Sequence, residues 1–185
     1  MKSKYKIIAI CLFVVPFAYA QISLPAIFTD GMVLQQNADI TIWGWGSPDE
    51  TIRIFPEWMP GDTIKAHVDD LGKWSATIRT IKAGGPYSIE LKGSSTRKIV
   101  DVMLGEVWLC SGQSNMEWSV NHGIQNGEVE AANASFPSLR IFHLPKRGSE
   151  FPQENCESKW TVSSPETMRM TSAVGYFYGR CSLLF

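Results

Sequence analysis

Residues 21–100 are built from short runs of alternating apolar and polar side chains, and each run is cut by glycine, proline or aspartate. That pattern excludes a helical bundle for this half of the chain and predicts strands joined by tight turns. Residues 40–46 (Ile-Thr-Ile-Trp-Gly-Trp-Gly), 51–55 (Thr-Ile-Arg-Ile-Phe), 63–68, 74–78, 87–91 and 98–100 are the expected strands. Two further strands are expected to flank a turn at Asp30-Gly31, and Asp69-Asp70-Leu71-Gly72, Gly84-Gly85-Pro86 and Gly93-Ser94-Ser95 supply other turns. The expectation is a β-sandwich-like or jelly-roll-like domain over residues 21–101. Asp30, Asp69 and Asp70 are explained as turn residues, and His67, which alternates with Lys65, as a strand-surface residue. Trp43, Trp45, Trp58 and Trp74 are most simply core or inter-domain packing. The alternative is a platform for glycans.

The pattern changes at residue 102. Residues 102–110 (Val-Met-Leu-Gly-Glu-Val-Trp-Leu-Cys) are mostly apolar and read as a buried strand. They run into Ser111-Gly112-Gln113-Ser114-Asn115, small polar residues suited to a turn and a helix start. A serine at such a place lies beside unpaired backbone N–H groups and the positive end of a helix dipole, which stabilise an oxyanion. Ser114 is therefore the candidate nucleophile, although a serine that merely caps a helix satisfies the same pattern. The stretch is not the G-x-S-x-G turn, because Met116 stands where the second glycine belongs.

Residues 125–133 have helical composition, residues 139–144 (Leu-Arg-Ile-Phe-His-Leu) form a strand stopped by Pro145, and residues 146–170 read as a polar loop with a short edge strand at 158–162. Thr171-Ser172 would cap a helix over residues 173–180. Two strands joined by a helix predict a right-handed βαβ unit in a parallel sheet, with ligands bound beyond the carboxyl ends of the strands. The expected fold class is thus a β-sandwich-like domain followed by the start of an α/β, parallel-sheet domain over residues 102–185.

Gly112-Gln113-Ser114-Asn115-Met116, preceded by Gly105-Glu106-Val107-Trp108, resembles the first sequence block of the sialate O-acetylesterase family, which belongs to the SGNH (GDSL-like) serine hydrolases. The resemblance extends through nearly all of the chain after its leader. It implies a serine esterase that acts on acetylated carbohydrates, sialic acid or another O-acetylated sugar, without metal or organic cofactor. It also implies that backbone N–H groups at Ser114 and near Ser172 form the oxyanion hole.

Residues 1–20 have the form of a secretory signal: Lys2, Lys4 and Lys6, an apolar run over 7–17, and Ala18-Tyr19-Ala20 before Gln21. Export to the periplasm or beyond the cell is expected, and no stretch is long and apolar enough to span a bilayer. The net charge of −1 gives no electrostatic reason to expect nucleic acid. Cys110, Cys156 and Cys181 follow the leader. Cys110 is expected to pack in the buried strand, and a Cys156–Cys181 bond is possible by count alone. Their spacing does not suggest a metal site. Oligomeric state is not legible.

A serine hydroxyl needs a base, and the resemblance implies one in an Asp-x-x-His motif. Here Ile64, Ser119 and Arg140 stand three residues before His67, His122 and His143, so the motif is missing. The expectation is a truncated or frameshifted copy that supplies a nucleophile but no base and is inactive alone. The rival expectations are a secreted glycan-binding β-module with a vestigial hydrolase segment, and a product without function. Asn133-Ala134-Ser135 matches the N-glycosylation pattern.

Overall fold

A computed structural model describes residues 21–183, so the expected leader lies outside the described residues. The chain order is β1 (Val33–Gln35), β2 (Asp39–Trp45), β3 (Thr51–Pro56), β4 (Ile64–His67), β5 (Lys73–Arg79), β6 (Gly84–Lys92) and β7 (Thr96–Gly105). Then follow α1 (Ser114–Glu117), a 3-10 turn (Val120–His122), α2 (Gly127–Ala132), β8 (Phe136–Phe142), β9 (Trp160–Ser163), α3 (Pro165–Met170) and α4 (Ala173–Ser182).

Five strands form one mixed sheet in the order β1-β7-β6-β3-β4, with β1 parallel to β7 and the other pairs antiparallel. β2 and β5 form a separate antiparallel ribbon. Strand alternation puts Ile52, Ile54, Ile89 and Leu91 on the inner side of the sheet, where they meet Ile42, Trp74 and Ile78 of the ribbon in one core. Gly44, opposite Trp74, is where a Cβ would come 2.3 Å from the Ser23 carbonyl and 3.0 Å from the indole, so the chain passes too close there for a side chain. β4 runs beside β5 and the sheet curls onto the ribbon. The expected β-sandwich is seen only to this extent, as a curled mixed sheet and a ribbon about one core.

β7 carries a bulge with a consequence for the rest of the chain. Tyr87 pairs with Val102 and Ile89 with Ile99, so one extra residue sits on β7. Asp101 takes it up with φ +58, a left-handed conformation. Ile99, Val102 and Leu104 are all buried in spite of their spacing, because the bulge resets the alternation. Asp101 is turned out of the ladder, and its carboxylate takes a bidentate pair from Arg140 of β8 at 2.5 and 3.0 Å. Gly31, at φ +80, tucks beneath this pair, where a Cβ would lie 3.4 Å from Arg140. Trp160 of β9 donates to the Ile27 carbonyl at 2.8 Å. These contacts fasten the later region to the earlier one.

Four expectations are corrected here. No hairpin forms around Asp30-Gly31: Ser23 makes only an isolated bridge to Trp45, residues 25–32 close two successive turns, and β1 pairs with β7, far along the chain. The strand expected over 102–110 ends at Gly105 and belongs to the first sheet. The parallel βαβ unit is absent among the described residues, since β8 pairs antiparallel with β9. The apolar run is genuine, but β1 and β6 already occupy both edges of β7. The helix α3, read as loop, is started by Ser164, which accepts from Thr167 N–H while Thr167 caps the Ser164 N–H, with Pro165 in the first turn.

Candidate active site

The chain leaves β7 under tight control. Glu106 accepts from Gln36 Nε2 at 2.7 Å and from Gln35 Nε2 at 3.1 Å, and Gln35 Oε1 accepts from Val107 N–H at 2.9 Å. The two amides hold the Glu106 carboxyl below its ordinary range, Gln36 contributing most. The residues after it then lie along α4. Trp108 meets the Tyr178 ring edge-on at 5.1 Å, and Cys110 sits over Gly175, where a Cβ would lie 3.6 Å from its sulfur. Cys110 is exposed, not buried as expected, because its strand has already ended. Cys110, Cys156 and Cys181 are all free, so the Cys156–Cys181 bond is not formed.

Ser114 is the first residue of α1, one turn long, and is exposed. Gln113, in extended conformation before it, gives no side-chain cap, so the opening N–H groups of the turn receive no side-chain acceptor. At Gly112 a Cβ would meet the Met116 side chain at 2.5 Å, so a larger residue there would oblige that side chain to turn away. α1 packs on α4, and the Ala173 N–H donates to the Trp118 carbonyl at 2.8 Å. Ser172 caps α4 by accepting from Gly175 N–H at 3.3 Å. The two candidate residues therefore start adjoining elements, and no hydrogen bond joins their side chains among the described residues.

His122 does not serve Ser114. Its Nδ1 is bonded to Ser119 Oγ at 2.9 Å, and Ser119 is buried. His67, at the end of β4, faces Asp49 at 4.0 Å, and His143 is exposed on the loop after β8. Among the described residues no cluster of His, Cys, Asp or Glu could hold a metal ion. α2 is held to α3 by Glu128 with Arg169 and to α4 by Glu130 with Arg180 at 2.6 Å.

No family model matches the chain. Curated relatives do: sialate O-acetylesterases of Pongo abelii and Homo sapiens are each 31% identical over 170 residues, covering 80% of this chain and 32% of theirs. A solved carbohydrate acetylesterase from Xanthomonas citri superposes with a TM-score of 0.80 at 33% identity, over 86% of this chain and 36% of that one. Over this matched part the chain is similar to sialate O-acetylesterases and to a carbohydrate acetylesterase. It spans about a third of the length of the curated relatives it matches.

Gln35 and Gln36, which hold Glu106 and Val107 where the chain leaves β7, carry no local sequence signal for that contact. The pair occurs as Leu34-Gln35-Gln36 directly after the Asp30-Gly31 turn, about seventy residues before the glutamate it holds. Only the parallel β1–β7 pairing, which matches Gln35 with Gly105, brings them together.

Proposed function

We propose that Ser114 is the nucleophile of an O-acetylesterase acting on acetylated carbohydrates, sialic acid or another O-acetylated sugar. The observation that carries this reading is the superposition on a carbohydrate acetylesterase over 86% of the chain. In the reaction, Ser114 Oγ attacks the acetyl carbonyl and gives its proton to an imidazole. The backbone N–H of Ser114, with one near Ser172, receives the developing oxyanion. Collapse releases the sugar hydroxyl, reprotonated by the imidazolium, and water then frees acetate from the acetyl-serine. No step calls for a metal or an organic cofactor.

The base is the missing part. His122 is committed to Ser119, and no Asp-x-x-His occurs in the sequence. We place the base outside these 185 residues, on polypeptide that the longer relatives possess, as in an SGNH-type hydrolase. Residues 1–20 are proposed to direct export, and residues 102–185 to be the first part of the hydrolase domain that follows the β-rich unit.

The test is acetate release. The chain alone should release none from an O-acetylated sugar. A chimera in which it replaces the matching part of the Xanthomonas citri enzyme should release acetate, and Ser114→Ala in that chimera should abolish release. Acetate release that survives Ser114→Ala would overturn the reading. The rival glycan-binding reading finds one support, the half-buried Trp43 and Trp45 on the outer face of β2.

A further inference from the structure

Successive side chains of a strand point to opposite faces. On β2, Ile42 and Gly44 face the core, so Trp43 and Trp45 share the outer face. Their cross-strand neighbours on that face are Ser75 and Lys73. The loop before β9 rises beside this face and is pinned at two points: Glu154 takes Lys73 Nζ at 2.6 Å, and Asn155 Oδ1 accepts from Ala26 N–H at 2.8 Å. Between ribbon and loop lies a cleft of about 370 Å³, lined by Trp43, Trp45, His67, Lys73, Ser75 and Glu154. Its size falls at the lower end of small-molecule sites.

The chemistry of the lining selects the ligand. Two indoles two residues apart on one strand face stand about 7 Å apart along the strand. Each offers a flat apolar surface with one N–H edge. Trp43 is fixed edge-on against the buried Phe28 at 4.6 Å, so this surface is held before any ligand arrives. The other lining side chains are the Lys73 ammonium, the Asp69 and Glu154 carboxylates, the Ser75 hydroxyl, the His67 imidazole and the Trp74 indole, donors and acceptors placed around an apolar floor. A pyranose has the complementary form, an apolar C–H face with a rim of hydroxyls.

We propose that this cleft binds sugar rings, as a carbohydrate subsite on the β2–β5 ribbon separate from Ser114. It rests in part on the reading of the protein as a carbohydrate esterase unit, for which it would retain the glycan. Trp45 provides the stacking surface, and Lys73 with Glu154 hydrogen-bonds the hydroxyls.

The purified chain should be titrated with soluble oligosaccharides of pentose, hexose and sialic acid type, read by tryptophan fluorescence. Hydrogen exchange of the same samples locates the contact. At least one sugar should give saturable binding, with protection on β2 and β5. Trp45→Ala should weaken it about tenfold. Trp45→Tyr should restore most of it, and Lys73→Ala, at the rim, should weaken it less than Trp45→Ala does. A thermal melt of each variant separates lost binding from lost folding. Absence of saturable binding to every sugar, equal affinity in Trp45→Ala, or protection confined to residues 106–118 would each overturn the proposal. Acetate release by the chimera is measured independently, so failure of the subsite and failure of the esterase reading give different results.

Discussion

Residues 21–105 and residues 106–183 solve the burial problem to different degrees. In the first region the sheet and ribbon surround a continuous core in which Ile52, Ile54, Val68, Ile78, Ile89 and Leu91 are fully enclosed. In the second, Val120, Ala131, Ala134, Met168 and Tyr176 form a small cluster, while Trp108, Leu109, Trp118, Val174 and Tyr178 remain exposed around the candidate nucleophile. Leu109 is 82% exposed one residue before Cys110. The difference separates two jobs. The first region supplies stability and aims the chain through the Glu106 clamp. The second leaves Ser114 exposed among partly exposed apolar side chains.

The contrast can be broken by mutation. Ile54→Ala in the first core should cost about 3 kcal/mol, the loss of a buried aliphatic side chain plus its cavity. Trp108→Ala should cost under about 1 kcal/mol in the chain alone, since its ring is half in water. Equal losses by chemical denaturation would contradict the division. Hydrogen exchange should show the same order, with amides of α1 and α4 opening at lower free energy than those of β3 and β6.

The joint between the regions has a pH signature. Hydrogen bonding from Arg140 is the main cause that holds Asp101 below the usual carboxylate range, against a smaller opposing effect of burial. A depressed folded-state pKa means stability that is present above the unfolded value near 4 and lost as pH falls through the folded value. Arg140→Ala should therefore destabilise on the order of 1 kcal/mol at neutral pH, a modest figure because the Asp101 side chain is 44% exposed. The difference from wild type should shrink below about pH 4. A pH-independent difference would show that Arg140 acts by packing alone. The smallest effect is expected at Arg169→Ala: its pair with Glu128 is exposed, so any shift in Tm should disappear in high salt.

Local chemistry made much of this legible. Alternation with Gly and Asp punctuation marks β2, β3, β5 and β6, and Ser172 before an apolar stretch marks the start of α4. The cap signal of α3, Ser164-Pro165, was also present and was hidden by the polar composition around it. What sequence could not show is pairing at a distance. The end of β7 depends on which strands occupy its edges, and the left-handed Asp101 depends on the arginine that waits for it. Likewise, Ser114 could be named as a candidate from its neighbours in sequence, whereas the glutamines that hold Glu106 could not.

The central claim is that Ser114 forms the covalent intermediate of a carbohydrate acetylesterase. The direct measurement is peptide mass spectrometry of the acetylesterase chimera, quenched during turnover of an O-acetylated sugar. The account predicts one acetyl group on the peptide containing Ser114, absent after Ser114→Ala. An acetyl group on any other residue, or undiminished turnover by Ser114→Ala, would contradict it.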